Sequence, residues 1–311
     1  MFFIIFSSAI YITLLVLFQH YAPSMMRPNI KFKLGSYGHL YSRILDIKNH
    51  KNVDILFLGS SHAYRGFDTR IFSKKGYKAF NLGSSSQTPL QTRVLLNRYL
   101  KDLNPRLVVY EVYPGTFISD GVESSLDIIA NDTNDFYSFD MVLEVKNIKT
   151  FNTFLYSSMR DLFNLNKTYK ESTEKGIDIY IPGGYVKREI SYYKPNNFAK
   201  KEIKIKDYQL EAFAEIIEKL RKNGIEVILV NAPISNSKYE SFTNTKYFDS
   251  IMNQYSNYFN FNEIMSLNDS LHFYDSHHLN QHGVELFNKK LIRILDSEYF
   301  SKHDFNLDTI Q

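Results

Sequence analysis

The chain has 311 residues, 37 Lys and Arg against 33 Asp and Glu for a formal net charge of +4, and 44% hydrophobic against 23% charged residues. That is enough for one α/β domain with insertions, or for two small domains, and it argues against a disordered chain. The absence of cysteine excludes disulfides, thiolate zinc sites and cysteine nucleophiles, and the dispersed lysines do not form the basic face that nucleic-acid binding requires.

Residues 2–18 (FFIIFSSAIYITLLVLF) carry no charge and run into Gln19-His20-Tyr21, without the small-residue pattern of a signal cleavage site. Residues 1–19 are therefore expected to form an uncleaved transmembrane anchor, with a cleaved signal or a buried core helix as alternatives. No Lys or Arg precedes the run, whereas Arg27, Lys31 and Lys33 follow it. Taken alone, the positive-inside rule would put that following segment in the cytoplasm.

Residues 20–50 read as a polar connector, and residues 51–300 as the main domain. Residues 53–58 (VDILFL) form a short apolar run that stops at Gly59, the pattern of a strand buried on both faces. Residues 77–82 predict a second strand, ending at Gly83. Residues 89–100 predict a helix with Pro89 at its start, where a missing N–H does no harm. Residues 106–112 (RLVVYEV) predict a third strand, closed by Pro114.

From about 115 to 205 the rhythm is lost. This stretch reads as an insertion that caps or flanks the site, with helical patches such as 141–165. Residues 206–223 predict an amphipathic helix with a stripe of Tyr208, Phe213, Ile216, Ile217 and Leu220, ended by Asn223-Gly224. Residues 225–230 (IEVILV) predict a fourth strand, residues 258–261 a short fifth and residues 284–295 a last helix. Alternating strands and helices imply a parallel sheet covered on both faces, with ligands at the carboxyl ends of the strands.

Three motifs fall at such ends. In Leu58-Gly59-Ser60-Ser61-His62 a serine stands where a strand gives way to a helix, a position that suits a nucleophile and equally a helix N-cap. In Asn81-Leu82-Gly83 a glycine could offer its N–H to a developing oxyanion, or simply end a strand. In Asp275-Ser276-His277-His278 a turn can bring the carboxylate to one imidazole nitrogen and leave the other to take a proton from a hydroxyl. His277 and His278 compete for that role. A metal site there lacks further clustered ligands.

Together, Gly59-x-Ser61-His62, Asn81-x-Gly83 and Asp275-x-x-His278-Leu279-Asn280-x-x-Gly283 resemble the SGNH (GDSL-like) hydrolase superfamily. They look closest to its membrane-linked acyltransferase branch, which includes the DltD protein of teichoic acid D-alanylation and the alginate O-acetyltransferases. The similarity covers residues 50–113 and 205–297. It implies a flavodoxin-like three-layer sandwich around a parallel sheet, with Ser61 as nucleophile, His278 as base and Asp275 as its carboxylate. The oxyanion would be held by the backbone N–H groups of Ser61 and Gly83. The family's third block, Gly-x-Asn-Asp, reads Glu111-Val112-Tyr113-Pro114-Gly115-Thr116 here, so its oxyanion asparagine is missing.

The resemblance further implies serine-dependent acyl transfer, with no cofactor and no metal. The expected reaction is O-acylation, acetyl-like, of a cell-envelope polysaccharide, with a multi-spanning membrane acyltransferase as partner. The catalytic domain would then lie on the outer side of the cytoplasmic membrane, against the charge signal at Arg27, Lys31 and Lys33. A carbohydrate or lipid esterase of the same fold, and a non-catalytic glycan-binding protein on the same scaffold, are the alternatives. Arg65 and Asp68 are expected in an ion pair or cap, Asn280 as the N-cap of the last helix, and Tyr113 at the pocket's border.

Overall fold

A computed structural model of the chain describes residues 1–26, 33–35 and 37–300. Arg27 and Lys31, on which the charge argument leans, lie outside the described residues. Eight strands follow in chain order: β1 (Ile55–Leu58), β2 (Ala79–Asn81), β3 (Leu107–Glu111), β4 (Glu174–Lys175), β5 (Asp178–Ile181), β6 (Tyr185–Arg188), β7 (Glu226–Asn231) and β8 (Asn257–Asn260). Five of them form a parallel sheet in the order β2-β1-β3-β7-β8. This is the flavodoxin-like order, whose direction of winding reverses between β1 and β3 and opens a crevice at their carboxyl ends.

Alternation along each strand divides the core in two. Leu56, Leu58, Val108, Tyr110, Val227 and Leu229 face the helices Pro89–Leu103 and Asp207–Lys222. Ile55, Phe57, Leu107, Val109, Ile228 and Val230 face the opposite layer, which holds helix Gln281–Leu295. The strands read as continuous apolar runs because both of their faces are covered. Helix Pro89–Leu103 starts on a capping box between Thr88 and Gln91 and stops at Asn104, which takes the left-handed conformation. Tyr208 stands half-buried at the edge of the expected apolar stripe, its hydroxyl donating to Ser119 O at 3.3 Å.

The stretch 115–205 is ordered in two parts. The helical patch expected over 141–165 is two helices, Phe136–Val145 and Ile148–Leu162, broken where Lys146 turns left-handed and Asn147 caps the second. Together with helix Val122–Asn131 they extend the helical layer. The second part is an antiparallel sheet, β4-β5-β6, that the sequence reading missed. Its β5–β6 turn contains Gly183-Gly184, both at positive φ, and the polar flanks concealed the three short strands. The stretch expected as connector contains a docked helix, Leu40–Asp46, with Leu40 and Arg43 buried and Arg43 Nε donating to Gly184 O at 3.0 Å.

Helix Phe2–Tyr21 is mostly exposed, and among the described residues it alone is long and apolar enough to cross a membrane. Length and apolarity suit a signal sequence as well.

Candidate active site

Ser61 opens helix Ser61–Gly66 directly after β1. Ser60 is the N-cap, its Oγ accepting from His62 N at 3.3 Å. Ser61 therefore occupies the first helical position, where the backbone N–H has no intrahelical acceptor. Among the described residues that N–H has no partner.

The turn depends on Gly59, which sits at φ +131°. A methyl there would stand 2.8 Å from Glu111 Cβ and 2.9 Å from the Glu111 carbonyl oxygen, so β3 passes too close for a side chain. Gly59→Ala is expected to cost at least about 2 kcal/mol in a denaturant titration, through strain at that φ and displacement of Glu111. An unchanged midpoint would refute this account of the turn.

The imidazole of His278 reaches across 217 positions of sequence to put Nε2 2.7 Å from Ser61 Oγ. Its Nδ1 lies 2.8 Å from Asp275 Oδ2 and 3.1 Å from Oδ1. Asp275 Oδ1 also accepts the backbone N–H groups of His277 and His278, at 2.9 and 2.8 Å. The Asp-x-x-His spacing thus forms a carboxylate-capped turn, closed by Tyr274 N donating to His278 O at 3.1 Å. Between the two candidate histidines the geometry selects His278. His277 Nδ1 lies 3.0 Å from Ser276 Oγ.

Burial lowers the pKa of His278, partly offset by the hydrogen bond and charge of Asp275. Asp275 is itself held well below the usual carboxylate range by its bond to His278, the charges of both histidines and the backbone donors, despite some desolvation. His277 is pushed down to about 4 by burial and the neighbouring His278. At neutral pH the site therefore holds an ionised Asp275 beside a neutral His278 whose Nε2 can accept a proton. Asp275, His277 and His278 offer ligand atoms within 4.8 Å of one another. Both nitrogens of His278 are engaged with Asp275 and Ser61, so a metal on that nitrogen set would have to displace one of them.

Gly83 follows β2 and packs under the Gly59–Ser61 turn, where a methyl would meet the Ser60 carbonyl oxygen at 2.9 Å. Its N–H donates to Asn81 Oδ1 at 3.1 Å, and Asn81 Nδ2 donates to Ala63 O at 2.7 Å. An oxyanion at Gly83 would share that N–H with Asn81. Asn280 caps the last helix, its Oδ1 accepting from Gly283 N at 3.1 Å, and its Nδ2 donates to Leu271 O at 2.9 Å, which holds the Asp275–His278 loop. Arg65 forms a two-pronged pair with Asp178 at 2.9 and 2.7 Å. Asp68 caps helix Thr69–Ser73 and pairs with Arg70.

Several residues beside Ser61, His278 and Asp275 escaped the sequence reading. The ring of Tyr274 stacks on His278 at 5.3 Å and 5°. Tyr274 in turn lies under Arg188 at 4.5 Å, and Arg188 stands 3.5 Å from Asp178, so the small sheet β4-β5-β6 helps hold the imidazole plane. His62 is buried, stacks on His278 at 5.0 Å and lies tilted against Tyr113 at 4.3 Å. Its Nδ1 lies 3.0 Å from Ser60 Oγ, which donates to Glu111 Oε2 at 3.2 Å. A cavity of about 150 Å³ opens beside these groups, lined by Ser61, His62, Ser86, Tyr113, Thr116 and His277 among others. Tyr113 stands at the pocket's border, where the sequence reading expected it, and the histidine adjacent to Ser61 was the one further hint of this lining.

Glu111 ends β3 buried beneath the Gly59–Ser61 turn, and burial pushes its pKa up to about 8, against partial relief from Ser60. Between the ordinary carboxyl pKa of about 4.5 and that value, the folded protein keeps a proton that the unfolded chain has released. This stabilising contribution is whole below pH 4.5 and is lost as pH rises through 8. The melting temperature of the parent in detergent should therefore fall between pH 5.5 and 8.5, and Glu111→Gln should remove on the order of 5 °C of that fall. An equal fall in the variant would show that Glu111 does not carry it.

No family model and no curated protein matches the chain. Among solved structures it is similar to a proposed acylhydrolase from Bacteroides fragilis, with 12% identity and a TM-score of 0.41 over 82% of this chain and 93% of that one. It is also similar to a GDSL-like lipase from Bacteroides thetaiotaomicron, with 12% identity and a TM-score of 0.42 over 83% of this chain and 98% of that one.

Proposed function

We propose that the chain is a serine-dependent acyl-transfer enzyme that moves an acetyl-like group onto a cell-envelope polysaccharide through an acyl-Ser61 intermediate. The observation that carries this reading is the continuous path from Asp275 through His278 to Ser61, at 2.8 and 2.7 Å. His278 Nε2 takes the Ser61 proton as Oγ attacks the acyl carbonyl. The developing oxyanion accepts from the free N–H of Ser61 and the shared N–H of Gly83. His278 then gives its proton to the leaving alcohol, which departs as acyl-Ser61 forms. In the second half His278 takes a proton from the acceptor hydroxyl, that oxygen attacks the acyl carbonyl, and His278 returns the proton to Ser61 Oγ as the acyl–Ser61 bond breaks.

The polysaccharide acceptor, the outward-facing domain and a multi-spanning partner that delivers the acyl group are supported by the SGNH-like motifs together with helix Phe2–Tyr21. An enzyme working on small soluble esters needs no tether. Arg65, Asp68 and the residues of β4-β5-β6 serve as supports for the site. The open cavity beside Ser61 admits water as readily as a sugar hydroxyl, which favours ester hydrolysis as the second reading.

The deciding experiment gives the full-length chain in detergent a chromogenic acetyl ester with and without envelope oligosaccharides. Acetylated oligosaccharide that appears with the parent and not with Ser61→Ala supports transfer. Ester turnover that depends on Ser61 but yields no acetylated oligosaccharide leaves the hydrolase. Absence of both, in a folded parent, sinks the acyl-transfer reading.

A further inference from the structure

Helix Ile148–Leu162 is inside out. A helix at a water-exposed surface turns its apolar stripe to the core and its polar side to solvent. Here the buried side carries Thr150, Asn152, Thr153, Ser157 and Arg160, packed toward helix Val122–Asn131. Ile148, Phe151, Leu155 and Leu162, three, four and seven residues apart, lie along one face of the helix. Ile148 and Leu162 are 58% and 67% exposed, Phe151 is exposed as well, and Leu155 is half-buried.

The preceding helix extends the patch. Phe136, Phe139 and Leu143 recur at the same helical spacing and are exposed, as are Phe163 and Leu165 beyond the second helix. Isolated exposed apolar residues are normal, but a continuous run over two adjacent helices marks a surface that meets something other than water.

The neighbour of this patch identifies its occupant. Helix Phe2–Tyr21, long and apolar enough to cross a membrane, lies alongside the inside-out helix. The Tyr11 hydroxyl donates to Asn152 Oδ1 at 2.5 Å. Further along, Val16, Leu17 and Tyr21 share a cleft with Tyr156, Met159 and Phe163. The exposed apolar side of the helix pair is thus continuous with the one segment suited to hydrocarbon. Lys146, Lys167 and Lys170 are exposed at the ends of the pair, where their stems can lie along apolar surface and their ammonium groups reach anionic headgroups.

We propose that the helices Phe136–Val145 and Ile148–Leu162 form a membrane-contacting hairpin whose apolar face is seated in the interfacial layer of a lipid bilayer. The inference is independent of the chemistry at Ser61. An interfacial helix buries its apolar face to a depth of about 5–10 Å at the boundary of headgroups and acyl chains. The hairpin would add a second membrane contact beside helix Phe2–Tyr21, and two contacts restrict tilt of the domain where one does not.

The native chain has no cysteine, which allows clean single-site labelling. The full-length chain carrying Leu143→Cys, Phe151→Cys or Leu162→Cys, each with an environment-sensitive fluorophore, would be reconstituted in phosphatidylcholine–phosphatidylglycerol vesicles. Lys290→Cys, exposed on helix Gln281–Leu295 in the opposite layer, is the control. Quenching by lipids brominated near the headgroup should be at least about threefold stronger at the hairpin sites than at position 290, and stronger than with lipids brominated at the chain end. Hairpin labels quenched by aqueous iodide as fully as position 290, and no more by lipid, would place the face in water and overturn the proposal. Labels shielded from both quenchers would show a second copy or another protein on the face, and would overturn it equally. Phe139→Cys replaces any hairpin variant that loses its native circular dichroism.

Discussion

Ser61→Ala is expected to lower kcat/KM for a simple acetyl ester by about 10⁴–10⁶, with His278→Ala close behind it. On the proposed mechanism the two groups act as one unit: Nε2, 2.7 Å from Oγ, would remove the proton whose retention leaves Oγ a weak nucleophile. Combining the two substitutions should therefore cost little more than either one. Activity that survives in either variant above about 1% of the parent would mean that another group attacks the ester. Ser60 is a poor candidate for that role, because its Oγ is already bonded to His62 and Glu111. The comparison needs only the full-length chain in detergent, since neither substitution touches helix Phe2–Tyr21.

Asp275→Asn is the second large effect, a fall in kcat of about 10³ with the fold intact. The carboxylate accepts from the Nδ1–H of His278 and so keeps the Nε2 lone pair pointed at Ser61. An asparagine can rotate its amide to donate to Nδ1. That moves the ring proton to Nε2 and leaves nothing there to accept from Ser61. The side chain of Asp275 is 39% exposed, so water softens the loss relative to a fully buried partner.

The pH profile separates this from a merely structural effect. In the parent, burial has already lowered the pKa of His278, so with His278 as base the acid limb of kcat/KM is expected below pH 6.5, with activity lost as pH falls through it. Asp275 supplies the hydrogen bond and charge that raise that pKa, so removing it should carry the limb further toward acid. A limb that stays in place, or moves up, would contradict the assigned role.

Much of the site was legible because it is locally encoded. An apolar run that ends in glycine and serine marks the carboxyl end of a buried strand, and Ser61 and Gly83 each follow such a run. Asp275 and His278 meet because three residues of turn bring them together, and Asn280 caps the next helix through a bond to Gly283, three residues on. The alternation of strands and helices was enough to derive the parallel sheet, since burial on both faces removes the period-two pattern of a half-exposed strand.

The rest depends on contacts between distant segments, which leave no period or spacing in the sequence. The choice of His278 over His277 was taken from motif spacing, and the structure gives it a physical cause in the direction each imidazole faces. Glu111 reads as one more residue of a strand until the chain folds it against Ser60, 51 positions away. Tyr274 becomes a support for the imidazole only when Arg65, Asp178 and Arg188 converge from three segments. Helix Ile148–Leu162 is the clearest case. The sequence by itself determined only that a helical patch runs through 141–165, and helical periodicity carries no sign that says which side is buried. Only the tertiary structure, by packing the polar side inward beside helix Phe2–Tyr21, decided that the apolar side faces out.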